Sequence, residues 1–328
     1  MVQKSLDAKL SRINADPHGC KDFILADAKD ADMAWGLAAT GVNVDTGRLR
    51  SLADYRDQMR EIVRQGLVDI MLMSVSSSEL LTVKEGLFEG SQVTAAVRAN
   101  DSTDIHLVAG GAYAEQPSLP FRTPTVAQVA GAAGAEVCLY SITLNNDAAL
   151  DRATLEAYRD FRLEAQPQGL RHFLEAFDPN APGVRRPADA GRFLNTAITR
   201  ALAGVPADAR PLFLKLPYHG ARAMEELASY DPHLVPGVLG GSAGTTHDAF
   251  HLLEQARRHG ARAALFGRKI NASEHQLTFV GYLRSIADGD LGAADAVRAY
   301  HSDLARMGIR PRLPLSDDLA LTQAQHDE

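Results

Sequence analysis

The sequence predicts an α/β fold, a (β/α)8 barrel of parallel strands with an N-terminal and a C-terminal extension. Three observations carry that prediction. The last third of the chain holds three short apolar runs, Pro211-Leu212-Phe213-Leu214, Leu234-Val235-Pro236-Gly237-Val238-Leu239 and Ala263-Ala264-Leu265-Phe266, with helical patterns such as residues 249–259 between them. A β-α-β-α-β order implies a parallel sheet. Upstream lie five further strand candidates that mostly alternate with helical patterns, which brings the total to eight. Finally, 328 residues fit one barrel, which takes about 250, better than two domains. The chain therefore reads as a single domain over 1–328, with the barrel core over about 22–307, an arm over 1–21 and a tail over 311–328.

Each element has its own signal. Residues 1–20 read as a short helix or arm, broken by Asp16-Pro17-His18-Gly19. The first strand, 22–26, runs into Asp27-Ala28-Lys29-Asp30-Ala31-Asp32. Residues 52–66 form a helix because Leu52, Tyr55, Met59, Ile62 and Val63 recur on one face. The second strand, 68–73, is followed by serines with N-cap chemistry and a helix near 78–85. The third, 92–97, ends in Arg98-Ala99-Asn100-Asp101, and the three prolines of 113–125 mark an excursion. The fourth strand spans 136–141, with Asn145 and Asn146 beyond it, and a charged helix follows over 151–166. The fifth, 171–177, carries Glu175, with Asp178 at its end. A proline-rich loop at 179–187 and a helix over 192–202 lead to the last three strands. Helices over 273–287 and 293–307 complete the barrel, and the polar tail is either a contact arm or disordered.

Composition narrows the function. A formal charge of −7 argues against a general nucleic-acid or anionic-membrane binder. No run of 18 apolar residues exists, and the N-terminus has no apolar signal core. Cys20 and Cys138 are the only cysteines, too few for a disulfide framework or a four-cysteine zinc site, so a reducing cytoplasm is expected. No His-rich spacing suggests a transition metal, and no metal is expected.

The chemistry-bearing groups cluster where strands end, which is where parallel barrels keep their active sites. Lys215 ends the sixth strand, between Phe213-Leu214 and Pro217-Tyr218. Desolvation lowers a lysine's pKa and frees the amine to attack a carbonyl; a salt-bridged or snorkelling lysine is the plainer alternative. Lys29 is the one competitor, since it also follows a strand. Gly240, Gly241 and Ser242 after the seventh strand, with Gly267 and Arg268 after the eighth, occupy the usual phosphate-binding loops of barrels, although glycine also serves tight turns without a ligand. Asp27 is expected to open on the mouth for proton transfer or to orient Lys215; a solvated loop carboxylate is the alternative. Glu175 shares a strand face with Phe173 and would be a buried acid or base, or else an ion-pair partner of Arg98 or Lys29. Tyr218, His219 and Arg98 are further mouth candidates, with Tyr218 the reserve proton donor, while the single Trp35 is expected to pack rather than recognise a sugar.

Phe213-Leu214-Lys215, Gly237-Val238-Leu239-Gly240-Gly241-Ser242 and Ala264-Leu265-Phe266-Gly267-Arg268-Lys269-Ile270 resemble the archaeal-type class I fructose-bisphosphate aldolases and their deoxyribose-phosphate and tagatose-bisphosphate aldolase relatives. The resemblance covers roughly the final third. It implies a TIM barrel, a Schiff-base lysine at Lys215, a phosphate site at Gly240, Gly241, Gly267 and Arg268, and a strand-one aspartate at Asp27. It implies a class I aldolase acting on a phosphorylated sugar or keto compound. Such an enzyme needs no cofactor and is expected to be a homo-oligomer whose partner is a small phosphorylated molecule, not nucleic acid or membrane. The family carries a tyrosine followed by Pro-Arg-Gly after strand five; this chain reads Glu175-Ala176-Phe177-Asp178-Pro179 there, so either Glu175 takes that place or the reaction differs. A second resemblance lies in Asp27, Lys29 and Asp32, which have the Asp-x-Lys-x-x-Asp spacing of the orotidine-phosphate decarboxylase superfamily with its hexulose-phosphate synthases. The third alternative is a barrel without catalysis that serves binding or assembly.

Overall fold

The structure is a computed structural model that describes residues 2–43, 46–107, 116–181, 187–241 and 244–323. Eight parallel strands form a barrel: β1 (Ile24–Lys29), β2 (Ile70–Met73), β3 (Thr94–Arg98), β4 (Val137–Thr143), β5 (Arg171–Phe177), β6 (Leu214–Lys215), β7 (Gly237–Leu239) and β8 (Ala263–Phe266). They are hydrogen-bonded in the order β6-β5-β4-β3-β2-β1-β8-β7. A bridge between Leu216 and Val238 closes β6 onto β7, supported by backbone bonds from Leu216 N to Gly237 O (2.9 Å) and from Leu239 N to Leu216 O (2.9 Å). The seam is thin: β4 and β5 pair over seven residues each, whereas β6 is two residues long. The expected (β/α)8 TIM barrel is what the chain forms.

Alternation along each strand sorts the side chains. Ile24, Ala26, Ile70, Leu72, Val137, Leu139, Phe173, Phe213 and Leu265 fill the barrel interior. Leu25, Met71, Met73, Leu174 and Leu214 point the other way and pack under the helices. The helix Ser5–Ala15 sends Leu6, Leu10 and Ile13 into the interior cluster, so it plugs the end of the barrel where strands begin. Lys4 and Lys9 fix it by donating to the carbonyls of Val93 and Phe23, and Lys9 also meets Asp69 at 2.8 Å. A two-residue antiparallel ladder, Asp101–Ser102 with Pro120–Phe121, opens the excursion after β3.

The tail, described to residue 323, is a contact arm. Thr245 Oγ1 donates to Ala320 O at 2.8 Å, Thr246 N to Asp318 Oδ1 at 2.7 Å, and Thr322 Oγ1 to Asp248 Oδ2 at 2.6 Å. These bonds strap the tail across the first turn of the helix Thr246–Arg258, which leads away from β7. Among the described residues no helix is long and apolar enough to cross a membrane.

Candidate active site

Lys215 lies on the inner face of β6. Phe213 packs inside the barrel and Leu214 outside, so alternation turns Lys215 inward, where it is buried. Its register partner across the ladder is Glu175, whose own partner on β4 is Ser141. Register makes a row of three. Lys215 Nζ stands 2.5 Å from Glu175 Oε1, and Ser141 Oγ donates to Glu175 Oε2 at 2.9 Å. The row continues round the mouth. Ser141 N donates to Asn100 Oδ1 at 2.7 Å, Arg98 Nε to Asn100 O at 2.7 Å, and Arg98 Nη1 to Asp30 Oδ2 at 3.1 Å. Burial alone would depress the Arg98 guanidinium, but the charges of Asp30, Glu175 and Asp101 outweigh it and hold the group above its ordinary value.

Part of this row opens on a cavity of about 390 Å³ at the end of the barrel where strands finish, with Ser141 and Asn100 buried behind it. Lys215, Glu175, Asp30 and Arg98 line it, with Gly240, Gly241, Gly267, Arg268, Trp35, Leu239 and Leu265 around them. Lys215 and Glu175 thus share one mouth with the phosphate-loop candidates, of which Gly240 and Gly241 follow β7, the strand next to β6. Ser242 lies outside the described residues.

The glycines here have packing reasons of their own. A Cβ at Gly240 would run into the Phe266 ring, and one at Gly267 into the carbonyl of Ala28. Gly241 sits at φ +58 in open space, a conformation that favours glycine. Arg268 lies over the Trp35 ring, 5.8 Å from its centroid. Burial lowers its pKa, opposed by Glu175 and Asp30.

Three site expectations need correction. Asp27 does not open on the mouth. The strand runs three residues beyond Ala26, to Lys29, so Leu25, Asp27 and Lys29 share the outer face and Asp30 takes the mouth position. Asp27 is fully buried with no hydrogen-bond partner on either oxygen, and burial, opposed by Lys29, raises its pKa to about 6. Lys29 is likewise on the outer face. Its Nζ stands 3.7 Å from Asp27 Oδ2, too far for a hydrogen bond, and donates to Gln276 Oε1 at 2.8 Å above the Tyr55 ring. Burial lowers the Lys29 pKa, opposed by Asp27. Tyr218 is buried in the outer apolar layer with Met224 and Val238, and burial pushes its pKa up to about 12. Asp32 accepts from Ser74 Oγ at 2.6 Å, so Asp27, Lys29 and Asp32 do not converge at the mouth and the decarboxylase-type constellation is not assembled there.

Asp30, Asn100, Ser141 and Trp35 were not singled out for the mouth by the sequence reading. Ser141 and Asn100 carry no motif; the β4–β5 register reveals Ser141, and hydrogen bonds to the Ser141 backbone reveal Asn100. Trp35, expected merely to pack, lines the cavity.

No family model matches the sequence, and no curated protein matches it in sequence. Solved structures do match in fold. An archaeal fructose 1,6-bisphosphate aldolase superposes with a TM-score of 0.63 at 16% identity, over 87% of this chain and 100% of that one. A Schiff-base-forming fructose-1,6-bisphosphate aldolase gives 0.61 at 17% identity, over 86% and 100%. Cgl0159 of Corynebacterium glutamicum gives 0.58 at 18% identity, over 89% and 99%. In fold, the chain is similar to the archaeal class I aldolases and related TIM barrels.

Proposed function

We propose that this chain is a class I aldolase-type lyase that cleaves or forms a carbon–carbon bond in a phosphorylated sugar or keto compound through an imine on Lys215. The observation that carries the reading is the Lys215–Glu175 pair, 2.5 Å apart and facing the mouth cavity. The likeness to Schiff-base-forming aldolases in fold supports it.

The pair suits the chemistry. Transfer of one proton from the Lys215 ammonium to Glu175 leaves a neutral amine beside a carboxylic acid. The amine attacks a ketone carbon, and the oxygen takes one proton from the attacking nitrogen and one from the acid and leaves as water from the carbinolamine. The resulting iminium draws electrons from the adjacent carbon–carbon bond. Glu175, again a carboxylate, removes the hydroxyl proton whose loss releases the aldehyde. The enamine then takes a proton, and water frees the product and the amine. Ser141 holds Glu175 in place through Oε2. A substrate phosphate is proposed to bind the N–H groups of the Gly240–Gly241 loop, with Arg268 adding a charge-assisted contact.

Borohydride reduction in the presence of candidate ketose phosphates tests the proposal. The expected result is a covalent adduct on the peptide carrying Lys215, absent from Lys215→Met, together with a loss of turnover of several orders of magnitude. An unmodified Lys215 across substrates that are nevertheless turned over would end the imine reading.

A further inference from the structure

Beside the mouth lies a second cavity, of about 730 Å³, between the segment after β1, the short helix Arg268–Ala272 and the tail. Among the described residues three arginines line it, Arg50, Arg268 and Arg312, and no carboxylate does. Among the described residues none of the three guanidinium groups donates to a carboxylate. Carboxylates in the neighbourhood are already engaged. Asp54 accepts from Ser51 N and Oγ at 2.8 Å, and Glu274 accepts from Tyr300 Oη at 3.0 Å and Arg312 N at 2.9 Å. In a chain of formal charge −7, three guanidiniums gather at one cavity; Asp30 and Glu175 act on Arg268 from the mouth side, while Arg50 and Arg312 make no ion pair among the described residues. The rest of the wall is mainly apolar, with Ala38, Ala39, Val42 and the Trp35 ring, and Asn271 adds one polar side chain.

We propose that this cavity is a binding site for a phosphorylated small molecule, separate from the one at Lys215. Guanidinium groups present paired donors that match phosphate oxygens. The phosphate would meet Arg50 and Arg312, which do not line the mouth, and the carbon body would lie on the apolar wall. Trp35 and Arg268 line both cavities and form the partition between them. Arg312 belongs to the tail that straps the helix after β7, so a ligand here ties the tail to the segment after β1. The site does not depend on imine chemistry at Lys215.

Calorimetric titration of the full chain with inorganic pyrophosphate at low ionic strength tests it. The wild type and Lys215→Met are expected to bind with equal affinity at this site. The double variant Arg50→Gln/Arg312→Gln should lose at least tenfold, and Gly241→Val should keep the site. Val42→Trp fills the cavity without removing a charge and should also lose at least tenfold; circular dichroism checks that each variant is folded. No binding by the wild type, or unchanged binding by the double variant, overturns the proposal. So does a double variant that weakens binding while Val42→Trp leaves it intact, since the anion would then be held by surface charge outside the cavity.

Discussion

Glu175 and Lys215 owe their contact to register. They are direct partners on adjacent parallel strands, so no loop has to be ordered to bring amine and carboxylate together. Glu175→Gln keeps the shape and removes the proton acceptor. It is expected to lower kcat by about 10²–10⁴-fold, the usual worth of a general acid–base group, with a much smaller change in KM for the phosphorylated substrate. Equal losses in kcat and in phosphate affinity would mean that Glu175 only supports the pocket. Asp27 makes a different prediction. Its pKa is raised from 3.8 to about 6 by burial. A raised carboxyl pKa means that the folded state holds a proton the unfolded state has released, so stability is present below about pH 4 and falls as pH rises towards 6. Asp27→Asn has no such titration. Its unfolding free energy relative to the wild type should therefore rise between about pH 4 and 6, by roughly 2–3 kcal/mol at about 1.4 kcal/mol per unit. Urea unfolding at the two ends of that window measures it, and a flat difference would refute the assignment.

Among the elements, the helix Ser5–Ala15 and the strap carry separate duties. Leu10→Ala opens a hole at the strand-start end and should cost about 2–5 kcal/mol in stability, with KM and kcat unchanged at permissive temperature; an altered KM would contradict the placement of the plug away from the mouth. The strands were legible because apolar runs of strand length recur between helical patterns, and β5 was predicted with its observed bounds. The end of β1 was not. A hydrophobic reading stops at Ala26, but the chain stays extended because Asp27 and Lys29 are buried on the outer face, with Gln276 and Tyr55 receiving the lysine. Three extra residues moved the mouth carboxylate from Asp27 to Asp30. The inward placement of Lys215 and Glu175 was legible since Lys215 ends its strand and Glu175 lies two residues before the end of its own, each on the same face as an inward phenylalanine. Ser141 and Asn100 were not, because Ser141 acquires meaning only from strand pairing and Asn100, beyond the end of β3, only from its bonds to the Ser141 backbone. A contact arm was one of two readings of the tail, but its partners were not legible for a similar reason: Asp318 and Thr322 lie in a polar tail and gain their partners from Thr246 and Asp248, more than 70 positions upstream in the chain.

At the scale of the whole molecule, the barrel is uneven. Seven-residue pairing of β4 with β5 contrasts with closure of β6 on β7 through a single bridge, and Lys215 sits on the short strand. A closed ring breathes where it is weakest, and amide hydrogens report local opening directly. Peptides covering residues 211–217 and 236–240 are therefore expected to take up deuterium faster than those covering 137–143, and equal protection would show that the seam is as firm as the rest. A molecule linked to Lys215 on one side and held by Gly240–Gly241 on the other would span the seam like a rivet. Borohydride-fixed adduct should then slow exchange in β6 and β7 while leaving β2 and β3 unchanged, so that occupancy of the mouth is read out as the mechanical closing of the barrel itself.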